Sequence, residues 1–360
     1  MIHIVKKINK KIKNVHFTEK GKRTISFFCV IFLFILYFVL NYSKLIAVYS
    51  LQDKIQEETK DMKFLIGGET VGVKLLATGV LVMGIDRTDT NLKMGDIILS
   101  VDGKKVESNL ELQKITQESN GKELELKVSR EDKEFYTKIT PQRGEITDEY
   151  KLGLWVKDSS AGVGTVTFYE ANSNKFAALG HAVTETQENY ILPITTGGIT
   201  KTNIYSIKKG VAKAPGELKG TITNDILGQI YGNTDKGIYG EMVDNIYMKG
   251  KGEIEIASKT DIKEGDASIF CTLDDNEVKE YSIKIEKVLL TSTGNKNMTI
   301  KITDEKLLEK TGGIIQGMSG SPIVQDGKLI GAVTHVFLND PTRGYGVFIE
   351  NMIEDMNNVE

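Results

Sequence analysis

The order of apolar and polar positions divides the chain into three kinds of stretch. From Ile25 to Tyr42 it is apolar without interruption (ISFFCVIFLFILYFVLNY), an uncharged run of about eighteen residues near the lower limit for a bilayer-spanning helix. Leu45–Val48 extend it beyond Lys44, whose stem can snorkel to the interface. Leu51–Lys63 is polar and compatible with a helical stalk. From Leu65 the pattern shortens. Gly79-Val-Leu-Val-Met83 reads as a strand, as do Leu92–Gly103, closed by the Asp102-Gly103 turn, Leu124–Arg130 and Glu134–Thr140. Leu110, Leu112 and Ile115 recur at helical spacing within Asn109–Glu118.

Beyond Thr140 short strands and glycine turns predominate. Ala161–Tyr169 and Lys175–Val183 flank the polar turn Glu170–Asn174 and predict a hairpin with a histidine, His181, near its end. Alternation marks Glu253–Ile256, Tyr281–Val288 and Met298–Thr303. Ile323-Val324 and Leu329–Val333 enclose Gln325-Asp-Gly-Lys328, and Asp-Gly between apolar runs is a strong hairpin signal. Short strands at regular intervals over about 200 residues predict a mainly β domain, either a sandwich or barrels. The expected boundaries are a basic arm at 1–24, a transmembrane segment at 25–48, a stalk at 49–64, a small module at 65–140, a linker at 141–150 and a large β domain at 151–360.

Charge changes this picture at the N-terminus. The net charge of -3 combines +8 in residues 1–44 with -11 in the remainder. Basic residues ahead of an apolar span stay cytoplasmic, so everything after Lys44 is expected outside the cytoplasm. An uncleaved signal anchor is the favoured reading, with a cleavable signal peptide as its rival, since no clear small-x-small site follows the run. The acidic remainder argues against a nucleic-acid partner. Cys29 lies in the apolar run and cannot pair with Cys271, which leaves no disulfide framework or cysteine-based zinc site. Of four histidines, two are in the basic arm, and no His-x-x-x-His occurs, so no metal and no cofactor is expected.

The candidate chemistry centres on Gly317-Met-Ser-Gly-Ser-Pro322. A serine between small residues on a glycine-built loop can stand clear of its backbone, with neighbouring N–H groups free to face an oxyanion. Ser319 is the candidate nucleophile, with the N–H groups of Gly317 and Ser319 as oxyanion donors. Ser321 is the rival, but it directly precedes Pro322, which restricts its backbone. A base is needed, and outside the arm only His181 and His335 are available. His181 precedes the serine loop; His335 follows it and is a candidate for lining a specificity pocket. The third member would be a carboxylate. Asp304, Glu185, Asp225, Asp244 and Asp261 all qualify by position, and residue spacing does not choose among them. A non-catalytic, membrane-tethered adaptor is the competing account.

Two resemblances narrow these options. Leu92-x-Met94-Gly-Asp-Ile-Ile98, Val101-Asp-Gly103 and the loop into Val80-Leu-Val82 resemble a PDZ domain. This implies that the strand Gly79, Val80, Leu81, Val82 either takes an extended peptide, the chain's own or a partner's C-terminus, or packs on the next domain instead. Three further segments resemble the stage IV sporulation protein B peptidases of endospore-forming bacteria. They are Leu152-Gly-Leu-Trp-Val through Ala161-Gly-Val-Gly-Thr165, Ala178-Leu-Gly-His181, and Gly312 to Gly346 with Val333-Thr-His-Val-Phe337. That resemblance implies a chymotrypsin-like double β-barrel preceded by a PDZ domain and one transmembrane helix. It implies a serine endopeptidase with Ser319 as nucleophile, His181 as base and Asp304 as acid. It also implies self-cleavage and cleavage of a regulatory membrane protein in the intermembrane space of the developing spore, which triggers sigma-factor processing. In one respect the chain departs from the family: Glu185 stands where an Asp usually follows the Gly-His pair.

Overall fold

The computed structural model describes residues 62–131, 133–144, 148–185, 190–274 and 277–359, with 31–37, 39–40, 42, 46, 50, 57 and 59–60 ahead of them. Other positions, including all of the arm at 1–24 and much of the expected membrane span, lie outside the described residues. Residues 31–37 are helical with exposed side chains, and among the described residues no helix is long and apolar enough to cross a membrane. The chain forms two compact units, Met1–Asp53 and Lys54–Glu360. The second holds all the chemistry described below.

Two long strands organise this unit. β1 (Phe64–Ile66) leads into β2 (Thr70–Ile85), whose first half belongs to a barrel and whose second half belongs to the small module. The module continues with β3 (Ile97–Val101), α1 (Asn109–Glu118), β4 (Leu124–Arg130) and β5 (Lys133–Ile139). Ser108 caps α1 through Glu111 N, and Val80, Val82, Ile98, Leu112, Leu126 and Val128 fill its core. Then β6 (Leu154–Glu170) runs antiparallel to β2 along its length, so one strand again serves both module and barrel.

The first barrel adds β7 (Lys175–Ala178), β8 (Ile194–Lys208), β9 (Glu217–Thr234) and β10 (Gly237–Met242). Its pairings form a closed cycle, β6-β7-β10-β9-β8-β2 and back to β6. Leu75, Val166, Phe176, Ile199, Ile230 and Ile238 pack inside it. The second cycle runs β11 (Gly265–Thr272), β12 (Val278–Val288), β13 (Met298–Ile302), β16 (Asp340–Phe348), β15 (Lys328–Phe337) and β14 (Pro322–Gln325), which returns to β11. Its core contains Ile269, Ile283, Ile300, Ile323 and Val333. Closure leaves few strand edges exposed. The short helix α2 (Glu305–Thr311) precedes the serine loop. A C-terminal helix, α3 (Ile349–Asn358), seats Met352, Ile353 and Met356 beside Phe168 and Tyr239.

The fold corrects the expected peptide-binding strand. Val80, Leu81 and Val82 are fully buried, with β3 on one side (Val80↔Ile98, Leu81↔Ile97) and β6 on the other (Leu81↔Lys157, Val82↔Val156). A strand paired on both edges has no free N–H and C=O groups to offer a third. Gly79, at φ +84, has no room even for a Cβ against Ile98 O. The open groove is elsewhere, between α1 and the segment Leu152–Val156 that leads into β6. It is a cavity of about 370 Å³ lined by Leu112, Thr116, Leu152, Leu154 and Trp155. Gln117 clamps one end by exchanging hydrogen bonds with the Tyr150 backbone (2.6 and 3.0 Å).

Candidate active site

Ser319 stands on the loop between α2 and β14, and backbone hydrogen bonds dictate what that loop presents. Every carbonyl from Gln316 to Gly320 is taken. Leu218 N donates to Gln316 O, Ser321 N to Met318 O and Thr165 N to Ser319 O (2.9–3.0 Å). Thr165 Oγ1 donates to Gly317 O at 2.7 Å and Thr167 Oγ1 to Gly320 O at 2.8 Å. The N–H groups behave differently. Those of Gln316, Met318, Gly320 and Ser321 go to Gly216, Ile315, Val333 and Met318 carbonyls, whereas those of Gly317 and Ser319 have no acceptor among the described residues. Two unpaired donors beside a serine are what an oxyanion hole requires. The left-handed φ of Gly317 (+101°) and Gly320 (+92°) permits this path, and a Cβ on Gly320 would collide with the Thr165 carbonyl.

Ser319 is half-buried and its hydroxyl donates to Thr334 O at 3.0 Å. Ser321 is fully buried, and its hydroxyl, near the Cys271 thiol, has no hydrogen bond of ordinary length among the described residues. Of the two serines, only Ser319 faces a cleft, a cavity of about 1180 Å³ shared with Gly317, His181 and His335.

β7 ends at Ala178, earlier than the sequence pattern suggests. Leu179 (φ +69°) and Gly180 (φ +68°) then turn the chain so that His181 enters the cleft. Its Nδ1 lies 2.7 Å from Ala182 O. A carbonyl only accepts, so Nδ1 carries the proton and Nε2 keeps its lone pair, the tautomer a general base requires. Asn233 holds this segment, with its Nδ2 donating to Val183 O (3.0 Å) and Leu192 O (2.9 Å). Burial lowers the His181 pKa from its ordinary value, keeping it neutral. His335 packs against it, with ring centroids 5.0 Å apart. Burial, and after it the electrostatic influence of the neighbouring His181 and Lys296 sites, pushes the His335 pKa down to about 4, and its Nδ1 is buried without a partner among the described residues.

The structure does not bring Asp304 to this cluster, which corrects the assignment of that residue as the orienting acid. Asn295 and Lys296, at one end of β13, line the cleft, while Asp304 follows the other end. There it is the N-cap of α2, accepting from Leu307 N at 2.9 Å and, more weakly, from Ser282 N at 3.5 Å. An N-cap carboxylate is committed to the helix terminus and cannot also hold a distant imidazole. Asp225, Asp244 and Asp261 are exposed and do not border the cleft; Asp244 caps a 3-10 turn through Ile246 N. The side chain of Glu185 lies outside the described residues. Glu217 and Asp235 do line the cleft, and sequence reasoning passed over both. It also missed Thr165 and Thr167, whose only signal was a Thr-x-Thr alternation on a strand.

Among the described residues no group of three or more His, Cys, Asp or Glu side chains is arranged to hold a metal ion. What the arrangement offers is a hydroxyl, an imidazole with a free lone pair and two N–H donors without acceptors among the described residues, a set suited to acyl transfer.

Two family models match the chain. A PDZ domain family model matches residues 64–140. Among solved structures, the PDZ domain of an SdrC-like protein from Listeria monocytogenes is 21% identical over 22% of this chain and 87% of its own, at a TM-score of 0.21. The active form of the Rv3671c protease from M. tuberculosis is 10% identical over 56% and 74%, at 0.32. The HtrA-type protease AlgW, solved with a decapeptide, is 10% identical over 81% and 64%, at 0.34. The family model described as SpoIVB peptidase S55 matches residues 148–353, more than half of the chain and all of its cleft-lining loops after β5, so this protein belongs to that family and is a serine endopeptidase.

Proposed function

We propose that Ser319 is the nucleophile and His181 the general base of a chymotrypsin-like double β-barrel protease. The observation that carries this is the serine loop, with five consecutive carbonyls bonded and only the Gly317 and Ser319 N–H groups left to face the cleft. On substrate binding the Ser319 hydroxyl turns from Thr334 O to His181 Nε2, which takes its proton as Oγ bonds to the peptide carbon. The oxyanion settles between the two N–H groups. The C–N bond then breaks, His181 returns the proton to the leaving amine, and water repeats the sequence to free the acid.

By family resemblance, the substrates proposed are the chain itself and a regulatory membrane protein in the intermembrane space of the developing spore, with sigma-factor processing as the consequence. The apolar run at 25–48 anchors the chain with its basic arm in the cytoplasm and the protease exported. The groove between α1 and Leu152–Val156 takes the C-terminal peptide of a partner or of a second copy as an added strand. Expression of the full chain and of Ser319→Ala tests the central reading. Self-generated fragments should appear only with the serine. Equal processing of both forms, or full biological function of the alanine variant, would establish the adaptor account instead.

A further inference from the structure

The nucleophile loop belongs to the second barrel, yet it is gripped by a strand of the first. Thr165 and Thr167 are two residues apart on β6 and so point to the same face. Both are fully buried, so water does not compete for the carbonyls they hold. Thr165 grips twice, through its N–H to Ser319 O and its hydroxyl to Gly317 O.

A peptide unit is planar, so fixing the carbonyl of one residue fixes the direction of the next residue's N–H. Leu218 N fixes the plane that carries the Gly317 N–H, and Ser321 N fixes the plane that carries the Ser319 N–H. The plane between them, Gly317–Met318, joins the two donors. It hangs on a glycine in the left-handed region, where rotation meets the least steric resistance. Its N–H end donates to Ile315 O at 3.1 Å, and its carbonyl end is held by the Thr165 hydroxyl at 2.7 Å.

We propose that Thr165 is a positioning residue for the oxyanion hole. Its hydroxyl completes the hold on the middle plane so that the Gly317 and Ser319 N–H groups converge on one point, and Thr167 holds the loop beyond Ser319, at the Gly320 carbonyl. The inference rests on Ser319 being the nucleophile. It implies that the active site is assembled only when the strand of the first barrel is in register with the loop of the second.

A fluorophosphonate probe, whose phosphoryl oxygen must occupy the oxyanion hole during attack, tests this on the full chain. Thr165→Val removes the hydroxyl and keeps the shape, whereas Thr165→Ser keeps the hydroxyl. Thr70→Val is a control of the same kind, since Thr70 is also buried and its Oγ1 donates to Thr272 O at 2.8 Å, but it does not border the cleft. Losing a donor outright costs a hundred- to a thousand-fold. Misaiming two donors should lower the maximal inactivation rate about ten- to a hundred-fold per folded molecule, with the probe's KI within about two-fold of wild type. Thr165→Ser should restore the rate, and the control should leave it unchanged. Should Thr165→Val not fold, Thr165→Cys, with its weaker donor, should give an intermediate rate. A wild-type rate in Thr165→Val or Thr165→Cys, or an equal loss in the Thr70 control, would overturn the proposal. Labelling of Ser319→Ala at the wild-type rate would instead remove the nucleophile assignment beneath it.

Discussion

Replacing Asp304 separates two accounts of the active site by orders of magnitude. Family resemblance makes this carboxylate the partner of His181, and removing such a partner's charge lowers turnover about ten-thousand-fold, or about 5.5 kcal/mol at 1.36 kcal/mol per decade. The structure gives it different work. Its carboxylate accepts from Leu307 N at the start of α2, and β13 separates it from the cleft residues Asn295 and Lys296. Asparagine caps a helix about as well as aspartate, so Asp304→Asn should stay within a few-fold of wild type. Asp304→Ala should lose about 1 kcal/mol of stability, a drop of a few degrees in Tm, while each folded molecule still turns over. The assay is hydrolysis of a fluorescently labelled unfolded protein, normalised to active sites by phosphonate titration, beside thermal unfolding of the same samples. A ten-thousand-fold loss in Asp304→Asn with an unchanged Tm would refute the capping argument and restore Asp304 to the catalytic group.

Four further outcomes follow from the same geometry. Ser321→Ala should retain full activity with equal or higher Tm, because it deletes a buried hydroxyl lacking an ordinary partner, whereas Ser319→Ala should be inactive. The acid limb of the rate–pH profile should have its midpoint below 6.5, because burial lowers the His181 pKa and no carboxylate among the described residues raises it; a midpoint above 7 would reveal a further acid partner. Folding stability should fall as pH drops from 6.5 towards 4. Across that window the unfolded chain takes up a proton at His335 that the folded one refuses, and His335→Gln should flatten the decline. Finally, the chain's one tryptophan, Trp155, borders the α1 groove, so peptides with a free C-terminal carboxylate should change its fluorescence more than their amidated forms.

Residue order alone determined the mainly β character, because alternation along Leu124–Arg130, Tyr281–Val288 and Met298–Thr303 leaves a strand only one way to bury its apolar face. The α1 helix was legible for the same reason, and so was the choice of Ser319 over Ser321, since a proline fixes the backbone before it. Local pattern could not say which strands became central. Val80–Val82 reads as an edge able to take a peptide until β6, from beyond the module, covers its free side. Nor could spacing locate an acid. Asp304 lies near Ser319 in the chain but at the far end of a strand from the histidine, and its carboxylate is drawn to the nearest unpaired helix N–H groups. The threonine grip on the nucleophile loop joins residues about 150 positions apart, a distance only closure of both barrels brings to hydrogen-bonding range.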